Sequence, residues 1–449
     1  TALTVRKLRL YGKNPIGTAD LEWIFARNSE SNEQLRQIFT INRNASGQFI
    51  LSSNSYPHNL TDIVYSGYLS AHNKKEQERQ KQMSYSVYLP NYSIGENCYK
   101  ELPYVARNYG KKAVVIGGKT AMEKTKDALL EGIKGSDLEI TDFIWYGGDS
   151  SYENGNALIA NPAVRNADII FGVGGGRACD TAKYVANELD KPLFTFPTVA
   201  SNCAAVTAIC VIYNANGTFR EYYYPKLADH TFINTAVIAD SPYDLLWAGI
   251  GDALSKECEA VFSSKGKHLS HTPLMGVQLS KVCTQPLLDY GKEALASLKA
   301  HKVSDALMQV TLDIIVSTGI VSNMTTHIPD YYYNSSLAHC VYNGSTITRH
   351  GHEHLHGEVV SLGVLCLLTY EGANALRDTI MKFNASIGLP VCFDDIDITE
   401  DEFDLMADRI LTSTEWQYRP QDVTREKFIA CMKEQNKIGQ EFKKQTMLL

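Results

Sequence analysis

The run "ADIIFGVGGGRACDTAKY", residues 167–184, narrows the possible folds more than any other stretch of the chain. Its continuous apolar segment fits a strand buried on both faces, and Gly174, Gly175 and Gly176 follow with no spacer. Helical spacing begins at once from Arg177. A strand that turns through glycines directly into a helix lets a ligand approach the backbone closely. It also presents free N–H groups and the positive end of the helix dipole, which suits a phosphate. A plain tight turn is the alternative, because Arg177 stands where G-x-G-x-x-G requires its last glycine.

The surrounding segments repeat the pattern. "KKAVVIGG" reads as a buried strand, "TAMEKTKDALLEGIKG" as an amphipathic helix, "EITDFIWYGG" as a strand and "SYENGNALIANPAV" as helical. After the glycine turn, "RACDTAKYVANEL" reads as a helix and "KPLFTFPT" as a strand. Strands separated by helices of this length imply right-handed βαβ units and a parallel sheet. Beyond residue 240 the strands fade, and long segments such as "PYDLLWAGIGDALSKECEAVFSS" and "HGEVVSLGVLCLLTYEG" have helical periodicity. The expected class is α/β, with a parallel-sheet nucleotide-binding domain over 84–240 and an all-helical domain over 241–449. Residues 1–83 form an extension of no assigned role. They hold eleven Lys/Arg against seven Asp/Glu in a chain of net charge −7. "LTVRKLRLYG" and "GQFILSS" read as strands there, and "HNKKEQERQKQ" as a solvated linker or exposed helix.

The overall negative charge leaves no electrostatic footprint for nucleic acid. The apolar run around "VVSLGVLCLL" is too short to span a bilayer, so no membrane partner is expected. Ten scattered cysteines without a C-x-x-C pair read as reduced thiols, and with no apolar leader at the N-terminus the expected compartment is the cytoplasm.

Three positions are candidates for chemistry. Asp252 lies on a largely apolar helix, where a carboxylate is costly unless paired or metal-bound, although it would also serve as an N-cap after Gly251. His339 sits in the short apolar helix "SSLAHCVYNG", as a ligand or as a hydrogen-bonded core residue. In "TRHGHEHLHGE" the four histidines alternate in direction, so they do not all meet one ion. His356, nearest the buried helix, is the best candidate, and His350, His352 and His354 are read as loop residues, with His354 nearest the pocket. One Asp and two His make a plausible three-ligand site with an open position.

These residues carry a resemblance. "VGGGRACDTAK", "PTVASNCAAVTAICVIYNANGTF", "GIGDALSKECEA", "SSLAHCVYNG" and "HLHGEVVSLGVL" occur in the order found in the glycerol dehydrogenase branch of the iron-containing alcohol dehydrogenase superfamily. The chain resembles that branch over residues 84–449. The resemblance implies a cleft between the two domains, with metal ligands at Asp252, His339 and His356. Iron-type relatives add a His four residues after the Asp; Lys256 occupies that position, which points to zinc rather than iron. The cofactor would be NAD or NADP, its pyrophosphate at Gly175, Gly176 and Arg177. Thr198, Ser201, Thr207, Ile209 and Tyr213 fall where relatives contact the nicotinamide half. Relatives are homo-oligomers, so an oligomer is expected.

Two departures stand out. Cys203 replaces the Asp that binds the polyol in glycerol dehydrogenases, which argues against glycerol itself. After the first strand, Gly117, Gly118 and Lys119 stand where many relatives place an acidic residue toward the adenine ribose, so NADPH is expected to serve at least as well as NADH. The implied activity is hydride transfer between nicotinamide and a small alcohol or polyol, or its carbonyl. No side chain is assigned to the chemistry beyond the metal ligands. Cys203 and Lys256 are candidate pocket residues, against ordinary packing and a solvated lysine. A non-redox lyase on the same scaffold, similar to dehydroquinate synthase, and a non-catalytic binding protein are the alternatives.

Overall fold

The computed structural model describes residues 86–447 and, ahead of them, the backbone of three short strands. The chain divides into two compact units, residues 1–86 and 87–449. In the first, β1 (Ala2–Thr4), β2 (Phe39–Arg43) and β3 (Phe49–Ser53) form an antiparallel sheet in the order β1-β3-β2. β3 falls in an expected strand and β1 at the edge of another, whereas β2 has too brief an alternation to announce itself. The charged run at 72–82 lies outside the described residues.

The second unit is built on a six-stranded parallel sheet. Its strands are β4 (Tyr92–Ile94), β5 (Lys112–Gly117), β6 (Glu139–Trp145), β7 (Ile169–Gly174), β8 (Leu193–Pro197) and β11 (His230–Ile233). Their order is β4-β11-β8-β7-β5-β6, and a hairpin of β9 (Cys210–Tyr213) and β10 (Phe219–Tyr223) stands outside it. The central strands lack a polar face because helices cover both sides. On β5, Ala113 and Val115 join one core with Phe171, Phe194, Phe196 and Phe232, while Val114 and Ile116 join another with Ile170, Leu158 and Val185.

From β5 the chain runs outward to β6. It then returns to β7 on the other side and continues to β8 and β11. The order therefore reverses between β5 and β7. In open α/β sheets ligands bind beyond the carboxyl ends of the strands at such a switch point. Two glycine turns occupy that place: Gly118 caps helix α1 (Lys119–Gly132), and Gly175 caps α2 (Gly176–Glu188). They are in contact, with the Gly118 N–H donating to the Val173 carbonyl at 3.2 Å. Gly174, at φ +145°, needs the freedom of glycine, and a Cβ there would lie 2.8 Å from that of Ala178.

The remainder is helical around one large core that extends from Cys179 to Met432. The helical run Asp305–Thr325 is long and apolar enough to cross a membrane by length and composition, but about two thirds (67%) of its most apolar 18-residue window is packed inside the protein, as in a core helix. The helices that bear on the site are α3 (Tyr243–Ala253), α4 (Ser255–Ser264), α5 (Leu337–Ser345) and α6 (His356–Glu371). They meet at glycines. A Cβ on Gly251 of α3 would lie 2.3 Å from the Gly357 carbonyl oxygen, and one on Gly357 would lie 1.8 Å from that of Ala248. Gly363 of α6 lies equally close to Ala338 of α5. Only hydrogen at these positions lets the three backbones approach as they do.

Candidate active site

Those crossings bring three distant residues together. Asp252 is in the last turn of α3 and so is not an N-cap, His339 is in the first turn of α5, and His356 is the first residue of α6. His356 Nε2 lies 3.1 Å from Asp252 Oδ1, and His339 Nε2 lies 3.6 Å from the same oxygen. One donor atom from each of the three falls within 4.8 Å of the others. Two ligands about 2.1 Å from a tetrahedral ion stand roughly 3.4 Å apart, so the set is close to the separation an ion imposes. Exposure is graded: the Asp252 and His339 side chains are each 18% accessible and His356 is 43% accessible, so the trio opens on the His356 side.

The donor chemistry fits a divalent cation. Glu259, fully buried on α4, takes the other face of His339: its Oε2 lies 2.7 Å from Nδ1, and its Oε1 accepts from the Ser336 and His339 backbone N–H groups. A carboxylate on one ring nitrogen fixes the tautomer that offers the other to an ion. Burial disfavours charge on His339, yet Glu259 and Asp252 outweigh it and push the ring up to about 10. Burial acts against the Asp252 anion too, but His356 and His339 hold its carboxyl well below the usual range. An ionised Asp252 carboxylate on one side of His339 and the Glu259 carboxylate on the other make this a site that favours a positive charge. Nothing in the spacing marks Glu259 beforehand. Its one signal is a glutamate in the apolar stretch "ECEAVF", on a buried helix face.

The other histidines of the string go elsewhere. His350 contacts Glu353 at 3.0 Å, exposed His352 lies 3.9 Å from the same residue, and His354 turns to Glu358 at 3.1 Å and Asp397 at 3.7 Å.

On the nucleotide side, Arg177 at the start of α2 lies over the Tyr213 ring at 4.8 Å and 3.5 Å from Asp149. Lys119 lies over the Trp145 ring at 4.4 Å. A Cβ on Gly176 would press on Asn202, and the Thr198 N–H donates to the Gly174 carbonyl, which ties the 198–203 segment to the glycine turn. Ser201 meets α3, where a Cβ on Gly249 would lie 2.8 Å from its Cα. The carbonyls of Thr207 and Ile209 accept from buried Lys183, which pairs with Asp180 at 2.8 Å. That ion pair, absent from the sequence-based expectations, holds the 207–211 segment to α2. Cys203 lies in the electrostatic field of Lys256 and Asp252, and burial pushes its thiol up. Lys256 is buried and not solvated: its Nζ donates to Oδ1 of Asn334 at 2.6 Å and to the Asn334 carbonyl at 3.2 Å.

The sequence and the fold have counterparts. The profile of the iron-containing alcohol dehydrogenase family matches residues 90–240. A glycerol dehydrogenase of Citrobacter freundii is 30% identical over 305 residues, which cover 66% of this chain and 80% of that protein. The chain belongs to the iron-containing alcohol dehydrogenase family. Within it, this dehydrogenase falls in the glycerol dehydrogenase branch and is a metal-dependent, NAD-linked oxidoreductase of alcohols. A glycolaldehyde reductase of Halobacterium salinarum is 29% identical over 74% of the dehydrogenase and 92% of its own length. The fold matches the crystal structure of glycerol dehydrogenase from Schizosaccharomyces pombe with a TM-score of 0.70 at 24% identity, over 82% of this chain and 94% of that one.

Proposed function

We propose that Asp252, His339 and His356 hold one divalent ion, zinc rather than iron, and that the enzyme interconverts a small alcohol and its carbonyl. The observation that carries this reading is the convergence of the His339 and His356 Nε2 atoms on Asp252 Oδ1, with Glu259 orienting His339. Three ligands leave a position for substrate oxygen, and a bound ion there supplies Lewis-acid polarisation of that oxygen. Lys256, four residues after Asp252, offers an ammonium where a fourth imidazole would favour iron, and its bonds to Asn334 turn it away from a ligand role.

The protein's own groups position the reactants. Gly175, Gly176 and Arg177 receive the pyrophosphate at the switch point, Gly118 lies with Lys119 on the adenine-ribose side, and Thr198, Ser201, Thr207, Ile209 and Tyr213 line the path of the nicotinamide toward the ligand trio. Residues 84–240 thus carry the cofactor and 241–449 the metal. Lys119 favours NADPH, because it can pair with a 2′-phosphate and no carboxylate in "IGGKT" repels one. Cys203 offers a half-buried thiol where a diol would need a stronger acceptor, which argues against glycerol. We place the enzyme in the cytoplasm as a homo-oligomer, in keeping with its ten free cysteines and its family.

A screen of carbonyls and polyols with both cofactors tests the reading. Turnover of a small carbonyl is expected, with kcat/KM for NADPH at least equal to that for NADH. Lys119→Ala is expected to lower the NADPH value about tenfold and to spare NADH. A clear NADH preference in the unaltered enzyme would refute the cofactor assignment.

A further inference from the structure

Two lysines are buried among the described residues, Lys183 and Lys256. Lys183 has the ion pair that burial of a charge requires, with Asp180 at 2.8 Å. Lys256 does not. Its hydrogen bonds go to the side chain and backbone oxygens of Asn334, both neutral, and no carboxylate of the described residues lies within ion-pair distance.

Its position gives this a meaning. α3 runs into α4 through Leu254, which keeps helical angles, so Lys256 lies one turn beyond Asp252 on the same side. Asn334 leads into α5, the helix of His339, so the ammonium is held between the elements that supply two of the three donors. Cys203 lies in the field of both Lys256 and Asp252. The remaining acidic groups nearby do not balance the charge. Asp252 is engaged by two imidazoles, and Glu259 by His339. Asp313, which acts on Cys283 together with Lys256, is itself pushed up to about 8 by burial and is mostly neutral at pH 7. Burial likewise keeps the Cys203 thiol protonated. The Lys256 ammonium, with an N–H to spare, therefore lies one turn from the ligand trio with no carboxylate of the described residues within ion-pair distance.

We propose that the missing anion belongs to the substrate: Lys256 selects a small 2-oxo or 2-hydroxy carboxylate over a neutral ketone or polyol of the same size. This rests on the reading of the ligand trio as the reaction centre. A desolvated cation and an anion that complete each other discriminate strongly against a ligand lacking the charge, because the cation is then left buried and unpaired.

Hydroxypyruvate and dihydroxyacetone are matched probes, since the first is the second with one hydroxymethyl group replaced by carboxylate. In each reaction a hydride from NAD(P)H and a proton from solvent reduce the ketone to the alcohol. The metal-loaded enzyme is expected to show kcat/KM at least tenfold higher for hydroxypyruvate. Lys256→Met is expected to bring that ratio down at least tenfold, chiefly through the KM for hydroxypyruvate. Binding of glycerate and glycerol to the unaltered holoenzyme, followed by calorimetry, needs neither turnover nor a folded variant, and glycerate is expected to bind at least tenfold more tightly. If neither ketone is reduced, the reading of the reaction fails, and the same calorimetry on metal-loaded Lys256→Met, where the preference for glycerate is expected to fall at least tenfold, decides the role of Lys256. Equal or weaker binding of glycerate, or a ratio unchanged in Lys256→Met, would overturn the proposal.

Discussion

Glu259 shows what one buried carboxylate does in this fold. It caps the start of the His339 helix through two backbone N–H groups and pins the imidazole at Nδ1. Glu259→Gln keeps the shape but gives up the charge. It is expected to weaken metal binding by ~10–100-fold while the protein stays folded, as chelator competition beside thermal unfolding would measure. An unchanged affinity would mean that His339 needs no orienting partner. At this scale much of the site is legible: residue type and setting mark Asp252, His339 and His356 as candidates, the family resemblance joins them as one ligand set, and the structure brings them together. Glu259 and Asp180 are not, because a carboxylate's partner across the core leaves no mark in local spacing. Lys256 stands out in the sequence as a candidate pocket residue, but its burial depends on Asn334, seventy-eight residues later.

The helix crossings set the distances at the element scale. Gly357→Ala forces α6 away from α3, since the new Cβ would lie 1.8 Å from the Ala248 carbonyl oxygen and 2.9 Å from the Asp252 nitrogen. The expected cost is ~1–3 kcal/mol of stability together with loss of bound metal. Gly372→Ala is the matched control, because its φ of +71° strains an alanine but no atom crowds the site. It is expected to lower stability and to keep the metal.

Asp313 opens a π-helical turn, Asp313–Ser317, with both carboxyl oxygens buried and no geometrically sound hydrogen bond. Its carboxyl is pushed up to about 8 by burial, against an ordinary value of 3.8. The native state thus holds a proton that the unfolded chain releases, so stability is full at acid pH and falls as pH rises from about 4 to about 8. Asp313→Asn is expected to flatten this dependence and to raise stability at pH 8 by a few kcal/mol, on the order set by 1.4 kcal/mol per pH unit. Urea unfolding at pH 5 and pH 8 measures it, and equal slopes in both proteins would contradict the assignment. The long strands and helices were legible because their apolar periods run for whole turns. β4, the β9–β10 hairpin and β11 were not, since three to five residues carry little pattern and their pairing is set by distant strands.

On the scale of the whole molecule, the parallel sheet and the helical region act together because the 198–203 segment touches both: Thr198 meets the glycine turn, and Ser201 meets α3 next to Asp252. The class of fold followed from alternating strands and helices, whereas the strand order and its reversal between β5 and β7 did not, because many orders share one alternation. The account depends most on a single ion at the junction. Metal content per chain, measured by elemental analysis on the purified enzyme, His352→Ala and His356→Ala, tests it directly. One zinc per chain is expected in the unaltered enzyme and in His352→Ala, with near-complete loss of metal and activity in His356→Ala. Equal retention or equal loss in the two variants would contradict it.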